Sequence, residues 1–174
     1  MIWELLIVLV LVAAAVFMVY QNFLTLKFAP WVPSHMSLLR RALVWIKPST
    51  GQTFIDLGCG DGRAVLVASK DFHLQACGVD INPVLTLMAR ILLRQQRQSA
   101  RIITGDLYQQ DLTNIDILYI YGLPEHIAKR LIKKIHQELR SGAWIISYNF
   151  SLPGHEPVHT IRDRWRKIMV YRIN

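Results

Sequence analysis

The stretch Asp56-Leu57-Gly58-Cys59-Gly60-Asp61-Gly62-Arg63 constrains the fold of this chain more than any other. It joins a short apolar run, Thr53–Leu57, to a helical pattern over Gly62–Lys70. A glycine turn between a strand and a helix lets the main chain reverse sharply and come close to a ligand. Downstream, strand and helix patterns alternate. Strands are expected at Gln75–Ile81, Arg101–Thr104, Ile115–Tyr121 and Ala143–Phe150. Asn82 caps and Pro83 opens a helix running to about Gln98, and Pro124 opens another whose Ile127, Leu131 and Ile135 share a face. Gly142 ends that unit, and Val158–Ile161 with Trp165–Ile173 forms a closing hairpin. This rhythm predicts a mostly parallel sheet with right-handed crossovers.

The glycine spacing narrows the ligand. A dinucleotide fingerprint reads G-x-G-x-x-G, whereas here the glycines fall as G-x-G-x-G with an acid two residues ahead of the first. Two further acids close the next two strands, Asp80 in Gly78-Val79-Asp80-Ile81-Asn82 and Asp106 in Gly105-Asp106-Leu107. S-adenosylmethionine has a methionine ammonium, a sulfonium, a ribose diol and an adenine, and no pyrophosphate to place on a helix N-terminus. Asp56 suits the cationic methionine end, Gly58 and Gly60 let it lie against main chain, and the two oxygens of Asp80 suit the ribose diol. Asp106 suits the adenine amino group. Tyr121 and Asn149, at the ends of the fourth and fifth strands, are the acceptor-side candidates, since open α/β sheets bind ligands at that edge. His35, His126 and His155 are weaker candidates for a base. No residue is assigned to a metal.

The N-terminus carries a different signal. From Leu5 to Leu26 there is no charged residue, and Trp3 and Tyr20 bracket an almost wholly aliphatic and aromatic run. About 20 helical residues cross a hydrocarbon layer of roughly 30 Å, so residues 1–26 read as one transmembrane anchor. Glu4 stands where a cleavable signal would have basic residues. Lys27, Arg40, Arg41 and Lys47 all follow the run, which places the remainder on the cytoplasmic side or its equivalent in an organelle. Residues 27–48 then form a proline-punctuated linker and a helix with Leu38, Leu39, Ala42, Leu43 and Ile46 on one side, capped by Ser34; residues 49–174 form the ligand-binding domain.

The chain is basic, 20 Lys and Arg against 12 Asp and Glu for a net charge of +8. No helix-turn-helix, zinc module or aromatic RNA platform accompanies that charge, so no nucleic-acid partner is expected; solvated helix faces and attraction to anionic lipid account for it. The two cysteines, Cys59 and Cys77, make neither a C-x-x-C pair nor a zinc spacing, and Cys59 reads as a small filler in the glycine loop.

DLGCGDGR, GVDIN and GDL resemble the first three motifs of class I S-adenosylmethionine-dependent methyltransferases over about residues 50 to 150. That resemblance implies a Rossmann-like α/β sheet, typically seven strands with an antiparallel pair at one edge. Pro30-Trp31-Val32-Pro33-Ser34, Ile120-Tyr121-Gly122-Leu123-Pro124 and Asn149-Phe150-Ser151-Leu152-Pro153 extend it toward the membrane-anchored lysine methyltransferases of mitochondria, which modify the c-ring protein of ATP synthase and the adenine nucleotide translocase. This chain departs from them on the expected substrate side: His155 stands in place of an aromatic, usually Trp, and Asn149 in place of Arg. The resemblance implies an enzyme that methylates lysine in an integral membrane protein beside the bilayer. Two other readings stand beside it, a methyltransferase for a quinone or lipid-like molecule and a non-catalytic cofactor-binding membrane module.

Overall fold

The computed structural model describes residues 2–12, 36–121 and 125–174. The chain divides into two compact units, Met1–Val32 and Pro33–Asn174. In the first, residues 2–12 are helical (α1), with every side chain exposed. Among the described residues no helix is long and apolar enough to cross a membrane. At about 1.5 Å per residue, α1 as described spans roughly half of a hydrocarbon layer, so the expected spanning helix is not observed. The rest of the expected anchor, residues 13–26, lies outside the described residues, as do the linker, Ser34 and His35.

The second unit runs α2 (Met36–Ile46), β1 (Thr53–Leu57), α3 (Arg63–Phe72), β2 (Gln75–Asp80), α4 (Pro83–Gln95), β3 (Arg101–Thr104), a 3-10 turn at Leu107–Gln109, β4 (Ile117–Tyr121), α5 (Glu125–Glu138), β5 (Trp144–Tyr148), β6 (His159–Asp163) and β7 (Arg166–Arg172). Seven strands form one sheet in the order β3-β2-β1-β4-β5-β7-β6. β1 to β5 pair in parallel. β7 is antiparallel to both β5 and β6, so the expected hairpin closes the sheet by inserting its second strand next to β5.

Alternation along the strands splits the core in two. Phe54 and Tyr119 belong to one cluster, with Ile146, Tyr148, the buried side of α3 and Leu38, Leu39, Ala42 and Leu43 of α2. Ile55, Leu57, Leu118 and Ile120 belong to the other, with Leu131 and Ile135 of α5. The helix ahead of the glycine loop is therefore part of the packed domain: its four central apolar side chains are fully buried. Ile127, expected on the same face of α5 as Leu131 and Ile135, lies among the side chains outside the described set.

The loop from β1 to α3 has positive φ at Gly58, Gly60 and Gly62. A Cβ on Gly62 would also stand 2.7 Å from the Cβ and 3.1 Å from the Cα of Ala89, where α3 starts against α4. A left-handed L-residue costs about 1–2 kcal/mol and overpacking a further 1–3 or so. Gly62→Ala is therefore expected to destabilise by about 2–5 kcal/mol, and Gly58→Ala, which meets nothing within 4 Å, by about 1–2. Urea unfolding of the two variants checks this; equal midpoints would contradict the packing argument.

Candidate functional site

The strand order reverses at β1, which has β2 on one side and β4 on the other. The crevice beyond the carboxyl ends of β1 and β4 is where open α/β sheets take ligands. The glycine loop roofs it, held down by hydrogen bonds from the amides of Gly58 and Cys59 to the carbonyl of Val79, at 2.8 and 2.9 Å. β2 approaches closely because Gly78 carries no side chain: a Cβ there would meet Val65 and Cys59 at 2.7–2.8 Å. Cys59 is buried, and burial beside Asp56 and Asp80 pushes its thiol far up, which suits an inert filler.

Asp80 ties the crevice together. One carboxylate oxygen accepts from the amide of Gly60 at 2.9 Å and the other from the amide of Asn82 at 2.8 Å. Its carbonyl accepts from the amide of Gly105 at 3.0 Å, which draws the end of β3, and Asp106 with it, alongside. Burial nonetheless raises the Asp80 pKa, outweighing the opposing amide hydrogen bonds from Asn82, Gly60 and Ile81. Asn82 accepts from Val84 and Leu85 amides at 3.0 and 3.4 Å, the expected cap of α4. Asp106 accepts from the amide of Tyr108 at 2.9 Å and so also caps the 3-10 turn.

Asp56 lies deeper, 2% exposed, and its Oδ1 has no hydrogen-bond partner. Burial is the main reason its pKa stands well above the ordinary carboxylate value, with the charges of Asp80 and Asp61 adding to it. Asp61 itself is paired with Arg63. A chain of net charge +8 thus gathers Asp56, Asp80 and Asp106 at three neighbouring strand ends. An orphaned buried carboxylate oxygen and an open glycine backbone fit a cationic ligand whose ammonium would satisfy that oxygen.

On the acceptor side, Tyr121 ends β4 half-buried and packs against Tyr148 of β5, ring centroids 4.8 Å apart at 63°. Tyr148 is 1% exposed, and sequence reasoning passed over it. Its signal was there in the register, which sets it opposite Tyr121 on the neighbouring strand. Asn149 has a left-handed backbone, φ 66, and accepts from the amide of Lys167 at 2.9 Å through its side-chain oxygen while its own amide donates to the carbonyl of Lys167 at 2.8 Å. Its first task is to lock β5 to β7. His155 stacks on His136 at 4.7 Å and lies edge-on to Tyr171, a member of the cluster on the sheet face away from Phe54 and Tyr148. It therefore stands apart from Tyr121. The side chain of His126 lies outside the described set.

Residues 56–159 match the family described as the ANTKMT methyltransferase domain. A protein-lysine N-methyltransferase of Saccharolobus islandicus (strain REY15A) is 31% identical over 136 residues, 76% of this chain and 84% of that protein. The lysine N-methyltransferase of the ATP synthase C-subunit from Xenopus laevis is 30% identical over 82% of this chain, and the adenine nucleotide translocase lysine N-methyltransferase of Mus musculus 27% identical over 83%. The chain spans only 62% and 63% of these last two proteins. An RNA methyltransferase of Salinibacter ruber, solved with S-adenosyl-L-homocysteine, superposes with a TM-score of 0.77 over 82% of this chain and 94% of its own; at 24% identity that likeness bears on the fold alone.

Proposed function

We propose a lysine acceptor on one premise, that the chain belongs to the ANTKMT methyltransferase domain family. It is an S-adenosylmethionine-dependent methyltransferase. In this reading the lysine belongs to an integral membrane protein, as the names of the Xenopus and mouse relatives suggest, and the apolar run over residues 1–26 tethers the enzyme to the same membrane on its cytoplasmic or organelle-interior side. The observation that carries the cofactor site is the buried Asp56 with its unpartnered oxygen under the glycine loop.

The cofactor, when bound, supplies a methyl group on an electrophilic sulfonium. The chain supplies position and desolvation. Asp56 would hold the ammonium, and Gly58 and Gly60 would let the methionine portion lie on main chain. Asp80 would hold the ribose diol with its remaining lone pairs, fixed by the Gly60 and Asn82 amides. Asp106 would accept from the adenine amino group. A lysine attacks only as a neutral amine, and the half-buried Tyr121 backed by Tyr148 gives the acceptor side an aromatic lining that favours the neutral form. Asn149 supports that side by fixing the end of β5.

Asp80→Ala removes both the ribose partner and the clamp on the Gly60 amide. A charge-assisted hydrogen bond contributes about 1.5–3 kcal/mol, so affinity for the cofactor should fall roughly tenfold to over a hundredfold. Calorimetry that gives the variant wild-type affinity would refute the ribose assignment. The acceptor class is tested by giving labelled cofactor and the full chain to membranes from cells lacking this protein. Label is expected in protein; label in the lipid extract instead would favour a quinone or lipid acceptor.

A further inference from the structure

The turn joining β6 to β7 lies at the carboxyl edge of the sheet, because Asp163 pairs with Arg166 there and the next β7 positions run alongside the end of β5. It is therefore on the same edge as the crevice, three strand spacings from β1, or about 15 Å. Its sequence is not what its backbone asks for. Arg164 takes a left-handed conformation, φ 45, where Gly or Asn is the low-strain choice. Trp165 follows it and is 95% exposed, the most exposed of the large hydrophobic side chains described. Around it stand Arg162, Arg164, Arg166 and Lys167, four cations against the single carboxylate of Asp163. Among the described residues no ion pair engages any of the four. Phe150, 46% exposed, follows Asn149, which is bonded to Lys167 beside the turn.

The geometry points to this turn as a second membrane contact, a tryptophan that seats at the headgroup level of an anionic bilayer while the cations around it meet lipid phosphates. A projecting turn offers no groove to a peptide, whereas an indole with one apolar face and a ring N–H suits the boundary between acyl chains and headgroups. The four cations match a negatively charged leaflet. Seating there turns the carboxyl edge of the sheet, and the crevice with it, toward the bilayer, which an N-terminal tether alone does not do. The inference deepens the membrane reading above and rests on it for the nearness of a bilayer.

The test reads Trp165 in the full chain as the difference in emission between wild type and Trp165→Phe, with cofactor binding as the control for folding. Both are mixed with brominated phosphatidylcholine vesicles, with and without phosphatidylglycerol. The Trp165 component is expected to be quenched in the anionic vesicles and much less in the neutral ones. Arg164→Gln combined with Arg166→Gln should lower the ratio of docked to undocked turn roughly tenfold to thirtyfold. A Trp165 component that stays open to aqueous iodide on both vesicle types overturns the contact; if such an enzyme still methylates membrane protein, the acceptor reading survives. Shielding of Trp165 that appears only when the vesicles carry the acceptor protein also overturns it, making the turn a protein-binding element.

Discussion

Asp56→Asn is expected to melt at a higher temperature than the wild type at neutral pH without ligand, and to bind the cofactor far more weakly. The raised pKa sets the sign. The native state holds the Asp56 proton to a higher pH than the unfolded chain does. Between the ordinary carboxylate range and that raised value the native state binds more protons, so stability falls as pH rises and the deficit is complete above the raised value. Asparagine has nearly the same shape and cannot ionise. Relief of a buried, unpartnered charge is worth about 1–3 kcal/mol or more, while loss of the ion-assisted bond to the cofactor lowers affinity roughly tenfold to over a hundredfold. Thermal melts across pH check this. The gap between the two proteins should widen as pH rises, and S-adenosylmethionine at a concentration that just saturates the wild type should stabilise it more than the variant. A wild type that melts above the variant without ligand would mean that Asp56 has a partner in the fold.

Deleting residues 1–27 is expected to leave cofactor affinity unchanged and to slow methylation of membranes by roughly a hundredfold or more, the usual gain from tethering two reactants to one surface. Asp56, Asp80, Asp106, Tyr121 and Tyr148 all lie within Pro33–Asn174. On the proposed reading the truncated protein therefore keeps its chemistry and loses its tether. Initial rates with labelled cofactor, measured on washed membranes at equal enzyme concentration, decide the matter. Equal rates would remove the reason for a tether and would point to a freely diffusing acceptor.

Much of this was legible because period and punctuation agree. Thr53–Leu57 and Arg101–Thr104 are strands with the bounds their apolar runs imply, and Asn82-Pro83 starts α4 where capping chemistry requires. Where the ends moved, backbone geometry that no residue type announces was responsible. α4 stops at Gln95 because Arg97, not a glycine, takes the left-handed position and the amide of Gln98 closes back on Leu93. β4 begins at Ile117 because the amide of Ile115 turns back to the carbonyl of Leu112. Pattern also cannot order strands: nothing in Trp165–Ile173 says that it slots between β5 and β6. At the site, three acids behind a glycine loop were visible as a group, but their division of labour was not. Only the folded chain makes Asp80 the residue that clamps the glycine loop and leaves Asp56 with an unsatisfied oxygen. Asn149 illustrates the reverse. Its position at a strand end suggested chemistry, while its left-handed backbone and its bond to Lys167 give it structural work.

The central claim is that this methyltransferase modifies a lysine of an integral membrane protein. The most direct measurement is amino-acid analysis of membrane protein labelled by the full chain and methyl-labelled S-adenosylmethionine, using membranes from cells that lack the enzyme. Label is expected to elute as methylated lysine, from a protein that resists alkaline extraction, and to be strongly reduced with Asp80→Ala. Label that partitions wholly into the lipid extract, or that elutes with any residue other than lysine, would contradict the account.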